Sequence, residues 1–251
     1  MGELATLDGQ NGRLFASTSW TLVSEAGGAT DDAVRQRALT GLCVAYWRPL
    51  YLFLRGQGCG PDDAQDLTQG FFADLIETRS YERADKGKGR FRSFLLGALR
   101  HFVADTKDRE RALKRGGGYI REELSDHSLA EMDAQFERAS HDDPAHLYDR
   151  EWAATLVRRT FARLEQECAI AGKDDLFHDL QPFLAARDET TIPYAEFGRR
   201  FQRPVTTLRS DVARLRARYR AILRDEVRGT VADDAEVDDE LRHLCRVLAR
   251  A

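Results

Sequence analysis

Apolar side chains recur every three or four residues along most of this chain, and no other feature constrains the fold as strongly. Residues 91–113 show the spacing most clearly, with apolar side chains at Phe91, Phe94, Leu95, Ala98, Leu99, Phe102 and Val103. Because an α-helix completes a turn in about 3.6 residues, this spacing lines one helix face, whereas a strand requires strict alternation. Since no stretch alternates for long, the pattern predicts an all-α protein built from amphipathic helices.

Pro61 is expected to open a second helix, because proline fits the first helical turn. The side chains of its inner face would be Ala64, Leu67, Phe71, Leu75 and Ile76. Asp62, Asp63 and Asp66 would lie on the outer face, where carboxylates near the positive end of a helix are stabilising. Residues 40–55 are predicted to form a further helix despite Pro49.

A helix-turn-helix pattern lies in the second half of the chain. Residues 194–201 predict a short helix, residues 202–204 a turn, and apolar residues from Val205 to Ile222 a long amphipathic helix. The long helix would present small, hydroxyl and guanidinium groups outward, which suit base edges and phosphates in the major groove. These are Thr206, Thr207, Arg209, Ser210, Ala213 and Arg214. The same pattern also fits a plain helical hairpin, so it does not decide the function by itself.

Charge is unevenly distributed, although the formal net charge of the chain is only −4. Between residues 86 and 115, ten basic residues stand against three acids, a net charge of +7. Between residues 194 and 228, ten arginines stand against four acids, a net charge of +6. Such islands can neutralise phosphates locally, because ordinary salt screens exposed charges beyond about 10 Å. Charge alone fits solvated helix faces equally well.

The length of 251 residues suits two small domains, each with a core of its own. A glycine triplet at residues 116–118 and a weakly periodic acidic stretch after it predict a linker between them. We therefore predict an N-terminal segment at 1–19, a helical domain at 20–115, a linker at 116–146 with a short helix around residues 130–139, a helix-turn-helix domain at 147–228 and a C-terminal helical extension at 229–251.

The C-terminal extension carries Val237, Leu241, Leu244 and Leu248 on one apolar stripe after an acidic start. We expect it to pack as an added helix on the helix-turn-helix domain. The alternative is that its acidic residues cover the long, arginine-rich helix predicted from Val205 to Ile222.

Several classes of protein are disfavoured by what the sequence lacks. No apolar run approaches the roughly 20 residues of a membrane span, and the start has no signal-peptide pattern, which predicts a cytoplasmic protein without membrane insertion. The four cysteines and six histidines have no metal-binding spacing, so we expect no metal. A phosphate-binding glycine loop and a nucleophile signature are also missing, which predicts no cofactor and no enzymatic activity.

Three motifs stand in order along the chain. Residues 62–72 read DDAQDLTQGFF, residues 91–105 read FRSFLLGALRHFVAD, and residues 194–197 (YAEF) are followed by 207–210 (TLRS) and 214–216 (RLR). Over roughly residues 20–228 the chain resembles the sigma-70 family of bacterial RNA polymerase sigma factors, specifically its two-domain extracytoplasmic-function group. The resemblance implies a sigma region 2 domain and a sigma region 4 helix-turn-helix domain that bind core RNA polymerase and promoter DNA without a catalytic site.

The resemblance also assigns roles to residues of this sequence. The polymerase-binding side chains would be Asp62, Asp63, Asp66 and Gln69. The minus-ten element of the promoter would contact Tyr81, Lys86, Lys88, Arg90, Arg92, Arg100, His101 and Lys107, with Tyr81 or Phe91 supporting an unstacked base. The minus-thirty-five element would contact Thr206, Thr207, Arg209, Ser210 and Arg214.

Three positions depart from the usual pattern of the family. Gln65 stands where a glutamate is common, Gln202 replaces a frequent turn glycine, and Asp211 stands where a basic residue is usual and would repel a nearby phosphate. Promoter preference therefore cannot be carried over from the family.

Two regulatory hypotheses concern partners other than polymerase. Thr68 is a candidate phosphosite for a Ser/Thr kinase. A phosphate there would add about 1.5 to 2 negative charges to the predicted polymerase-binding face formed by Asp62, Asp63 and Asp66. An anti-sigma protein is a second hypothetical partner. The rivals to the sigma-factor function are a helix-turn-helix regulator that acts without polymerase docking and an interaction protein that has lost DNA binding.

Overall fold

The computed structural model describes residues 19–112, 126–138, 142–184 and 194–249. These residues form ten α-helices, with no strand among them, so the predicted all-α class is confirmed. The helices are α1 (Ser19–Gly28), α2 (Asp32–Gly56), α3 (Pro61–Glu77), α4 (Phe91–Ala112), α5 (Asp126–Arg138), α6 (Pro144–Ile170), α7 (Asp174–Leu180), α8 (Tyr194–Arg200), α9 (Val205–Arg228) and α10 (Val237–Ala249). Short 3-10 turns occupy Ser80–Arg83, Lys86–Lys88, Gln181–Phe183 and Asp234–Glu236.

The described residues divide into two compact units. The first combines residues 19–156 with residues 227–249, and the second consists of Val157–Glu226. The extension predicted at 229–251, which was expected to pack on the helix-turn-helix domain, therefore belongs over its described residues to the unit that contains α1 to α5.

The longest helix of the first unit, α2, begins earlier than the sequence pattern predicts. The Asp31 carboxylate accepts a hydrogen bond from the backbone N–H of Ala33 at 2.9 Å and so caps the helix at residue 32 instead of 40. Pro49 lies inside this helix and is buried. Close packing against α1 depends on Gly41, because a Cβ added there would lie 3.1 Å from a methyl group of Leu22.

Within the predicted linker, α5 packs on α2. Met132 is buried, and the Asp133 carboxylate accepts a hydrogen bond from the Tyr51 hydroxyl at 2.7 Å and pairs with Arg55. Burial and the neighbouring Asp133 carboxylate raise the pKa of Tyr51 to about 12. The described part of the predicted linker thus includes a helix that contributes buried contacts to the first unit.

The C-terminal helix α10 completes the core of the first unit. Val237, Leu244 and Val247 are buried, and so is the charged side chain of Glu240. This inward face is rotated from the predicted stripe, and Leu248 is exposed instead. The rotation has an electrostatic reason, because Glu240 meets two arginines of the first unit that are described with the candidate interface.

The second unit has a core formed by the C-terminal half of α6 with α7, α8 and α9. Its buried residues are Leu164, Phe177, Leu180, Phe183, Tyr194, Leu208, Val212 and Ile222. Ion pairs lie around this core, including Arg218 with Glu167 at 2.6 Å and Arg159 with Glu226 at 3.1 Å.

Candidate nucleic-acid interface

The predicted short helix, turn and long helix are present as α8, residues 201–204 and α9. The turn is tight: the Arg203 N–H donates to the Gly198 carbonyl at 3.0 Å. Gly198 permits this approach, because a Cβ there would lie 3.0 Å from the Arg203 carbonyl oxygen. Gln202 has a φ of +52°, in the left-handed region that glycine adopts at the least cost.

The inner face of α9 anchors this pair of helices. Leu208 and Val212 are buried against Leu180, Phe183 and Tyr194. Phe197 of α8 meets Phe183 edge to face, with ring centroids 4.7 Å apart. The aromatic and aliphatic packing therefore fixes which face of α9 points to solvent.

The outer face of α9 carries all five residues predicted to read the minus-thirty-five element. Thr206, Thr207, Arg209, Ser210 and Arg214 are exposed. The Arg209 guanidinium lies over the Tyr194 ring, 5.3 Å from its centroid, which restrains the side chain near the start of the helix. This face combines hydroxyl donors with cationic groups and has no large apolar side chain among the five.

Asp211 lies within the same region but is not presented to solvent as the sequence suggested. Its side chain is buried between two guanidiniums: Arg214 lies 2.5 Å from one carboxylate oxygen and Arg203 lies 3.3 Å from the other. The predicted repulsion of a phosphate by Asp211 is thus offset by two adjacent cations.

The acidic face of α3 has the predicted layout in the first unit. Asp62, Asp63 and Asp66 are exposed near the helix start, while Gln69 is partly buried. Pro61 occupies the first turn of the helix as predicted.

Thr68 lies on the opposite, inner face of α3. Its side chain is 0% exposed, and its hydroxyl donates to the Ala64 carbonyl at 2.7 Å. The structure thus corrects the assignment of Thr68 as an accessible phosphosite, because a kinase cannot reach this hydroxyl without opening the packing of α3.

The loop before α4 presents only part of its predicted set. Lys86 and Lys88 are exposed. Tyr81 and Phe91 are fully buried, and Phe91 packs against Trp20 and Tyr46 with ring centroids 5.5 and 5.6 Å away. The two rings predicted to support an unstacked base are core residues in this structure.

Arg92, predicted to face DNA, lies inside the first unit. Its guanidinium pairs with Asp149 of α6 and, at 3.1 Å, with Glu240 of α10, and it stacks over the Trp152 ring at 4.6 Å. Arg90 approaches the other oxygen of Glu240 at 2.8 Å. Contact of Arg92 with a phosphate would require both of its ion pairs to break.

Two neighbours of this cluster have displaced pKa values. Burial, reinforced by the charge of Arg92, lowers the pKa of His243, although the Asp149 carboxylate lies 3.2 Å from its Nε2 atom. Burial raises the pKa of Tyr148, whose hydroxyl donates to the Arg92 carbonyl at 2.9 Å. Both groups therefore favour their neutral forms at neutral pH.

The remaining predicted residues lie farther along α4. Arg100 and His101 are exposed, and the Arg100 guanidinium lies 5.3 Å from the centroid of the Phe53 ring. Lys107 is in α4, but its side chain lies outside the described residues.

The sequence pattern did not predict that Arg92 of α4 contacts Glu240, Asp149 and Trp152. The contacts of Arg92 with the first two span 148 and 57 residues, so helical periodicity carries no signal of them. An acid on the apolar stripe of a helix is a weak hint of a buried ion pair, and Glu240, between Val237 and Leu244, fits that description.

Comparison of the chain with protein-family models, curated proteins and solved structures finds no match. None of the helices among the described residues is long and apolar enough to cross a membrane. Within the same residues, no group of three or more His, Cys, Asp or Glu side chains could hold a metal ion.

Proposed function

We propose that this protein is a sigma factor that binds core RNA polymerase and directs promoter recognition, DNA melting and transcription initiation in the cytoplasm. The observation that carries the proposal is the outer face of α9, where Thr206, Thr207, Arg209, Ser210 and Arg214 are exposed together. A helix with this composition fits the major groove, where hydroxyl and guanidinium groups reach base edges and phosphates.

The exposed acids of α3 support the polymerase-docking part of the proposal. Asp62, Asp63 and Asp66 form a solvent-facing carboxylate patch, which would pair with basic groups on the polymerase. Complementary charge of this kind sets register and speeds encounter more than it adds affinity.

Among the residues predicted to contact the minus-ten element whose side chains the structure describes, Lys86, Lys88, Arg100 and His101 are exposed. These residues would contact the phosphates of the opened segment. Arg92 acts in this account by holding α4 against α6 and α10, since its guanidinium is enclosed by carboxylates and an aromatic ring.

A run-off transcription assay with core polymerase and a genomic promoter library tests the proposal. The wild-type chain should produce specific transcripts, and the triple substitution Asp62→Ala, Asp63→Ala and Asp66→Ala should abolish them while DNA binding by α9 persists. Arg209→Ala should weaken promoter binding by roughly 1 to 3 kcal/mol and relax the preference at one base pair. Failure of the purified wild-type chain to associate with core enzyme would contradict the proposal.

A helix-turn-helix regulator that acts without polymerase is the second candidate. The burial of Tyr81 and Phe91 favours it, because neither ring is free to stack on an unpaired base. A chain that binds duplex DNA selectively but neither binds core polymerase nor opens a promoter would support this candidate.

A further inference from the structure

A buried carboxylate, Asp211, lies beside the outer face of α9 and pairs with Arg214, one of the five residues proposed to contact DNA. Ser210 and Asp211 follow Thr207 by three and four residues and precede Arg214 by four and three, so the four residues occupy neighbouring positions on the helix surface. Arg203 reaches the same carboxylate from the turn before α9. Asp211 therefore links Arg203, in the loop before α9, to Arg214, in the third turn of α9.

The exposure of the three side chains distinguishes this arrangement from a core ion pair. Asp211 is 9% exposed, whereas the side chains of Arg203 and Arg214 are 45% and 72% exposed. The carboxylate is thus covered by its partners, while both guanidiniums keep a large surface for a ligand. Because both arginine side chains are largely exposed, they would stay hydrated without Asp211, so the loss of these pairs should change the stability of the fold only slightly.

Resting on the proposed function, we propose that Asp211 is a positioning residue that holds Arg203 and Arg214 beside Thr207 and Ser210 and so makes DNA binding by α9 selective for sequence. A long side chain that is ordered before binding loses less conformational freedom on docking. A base edge requires one guanidinium geometry, whereas phosphates along the duplex accept many.

Removal of the carboxylate should therefore affect the two kinds of contact in opposite directions. Without Asp211 the two arginines are mobile and carry their full charge, which favours phosphates of any sequence. The positioned contacts to base edges weaken at the same time. The expected result is a smaller difference between the affinity for the selected sequence and the affinity for other sequences.

The test uses the full-length chain and a 30-base-pair duplex that the wild type selects from a random pool. Binding of this duplex and of a scrambled duplex is measured by fluorescence anisotropy over a range of salt concentrations. Asp211→Ala should lower the ratio of the two affinities about tenfold and should bind the scrambled duplex more tightly. The plot of the logarithm of its binding constant against the logarithm of the salt concentration should become steeper, by an amount that corresponds to the release of up to about one more counterion. The unfolding midpoint should stay near that of the wild type.

Two further variants make the test specific. Glu196→Ala removes the same charge from an exposed position of α8 and should leave the selectivity ratio unchanged. In a chain that already carries Arg203→Ala and Arg214→Ala, the Asp211→Ala substitution should cause no further loss of selectivity, because Asp211 acts through those two side chains.

The outcomes separate this inference from the proposed function. A wild type that binds no duplex contradicts the proposed function and the inference together. A wild type that binds without sequence preference, or an Asp211→Ala variant with unchanged selectivity, contradicts the inference alone. An equal increase in the affinity of Asp211→Ala for both duplexes would also overturn the inference. That result would mean that the Asp211 carboxylate only repels DNA and does not position the two arginines.

Discussion

The guanidinium of Arg92 and the carboxylate of Glu240 lie 3.1 Å apart, although 148 residues of sequence separate them. Glu240 is fully buried and Arg92 nearly so. Asp149 and the Trp152 ring occupy other sides of the guanidinium. The pair ties the start of α4 to the C-terminal helix and accounts for the inward position of an acid on α10.

Glu240→Ala should destabilise the first unit by about 3 to 5 kcal/mol, because it leaves the buried Arg92 with less compensation and also removes the partner of Arg90. Urea unfolding followed by circular dichroism measures the change. Asp239→Ala is the matched control, since Asp239 is an exposed neighbour on the same helix paired with Arg242, and it should change the stability by about 1 kcal/mol or less. Equal effects of the two substitutions would refute the role of Glu240.

His243 should make the stability depend on pH. Burial lowers its pKa in the folded state below the ordinary value of about 6.5, so the unfolded chain binds a proton first as the pH falls. The contribution of the neutral imidazole is therefore present above about pH 6.5 and is lost as the pH falls through the interval between that value and the lower folded pKa.

Urea unfolding of the wild type and of His243→Asn at pH 7.5 and at pH 5.5 measures this contribution. The wild type should lose more stability than the variant between these two pH values. A variant that keeps the full pH dependence of the wild type would exclude His243 as its source.

Gln202→Gly should stabilise the second unit by about 0.5 to 1 kcal/mol. The left-handed conformation costs a residue with a Cβ about 1 to 2 kcal/mol, and the greater freedom of glycine in the unfolded chain offsets part of the gain. Thermal unfolding measures the shift. Gln202→Ala keeps the Cβ and should give no comparable gain, so a similar gain from alanine would assign the effect to the glutamine side chain instead of the backbone.

Thr68→Glu should destabilise the first unit by at least about 3 kcal/mol, because it places a charged side chain without a partner on the buried inner face of α3. Thr68→Val, which keeps the shape, should cost about 1 kcal/mol. Thr78 is a suitable control: its hydroxyl makes the same kind of bond, to the Asp74 carbonyl at 2.6 Å, but the residue is exposed. Thr78→Glu should therefore change the unfolding midpoint in urea only slightly, and a tolerated Thr68→Glu would reopen the phosphosite hypothesis.

The helices themselves could largely be predicted, because their signals are local. The apolar spacing marks α4 and α9, and Pro61 marks the start of α3. The early start of α2 was missed although Asp31 is a favourable capping residue. The same spacing also carried a signal for Thr68, which follows Ala64 by four residues and precedes Phe71 by three on the inner face of α3.

In the candidate site, the exposure of a residue could be predicted only where it depends on the periodicity of that residue's own helix. The five outward residues of α9 follow from helical periodicity once Leu208 and Val212 are placed inside. The burial of Arg92 depends on residues in α6 and α10, and the burial of Tyr81 and Phe91 depends on the first unit as a whole. No local pattern reports contacts over such separations.

The first unit is assembled from two stretches of chain with residues 157–226 between them, which has a consequence for synthesis on the ribosome. At about 5 to 20 residues per second, the 148 residues from Arg92 to Glu240 take roughly 7 to 30 seconds to translate. During that interval the nascent chain holds Arg90 and Arg92 without their final carboxylate partner. The last step in the assembly of this unit therefore comes after residues 157–226 have been synthesised, and those residues can reach their native packing earlier.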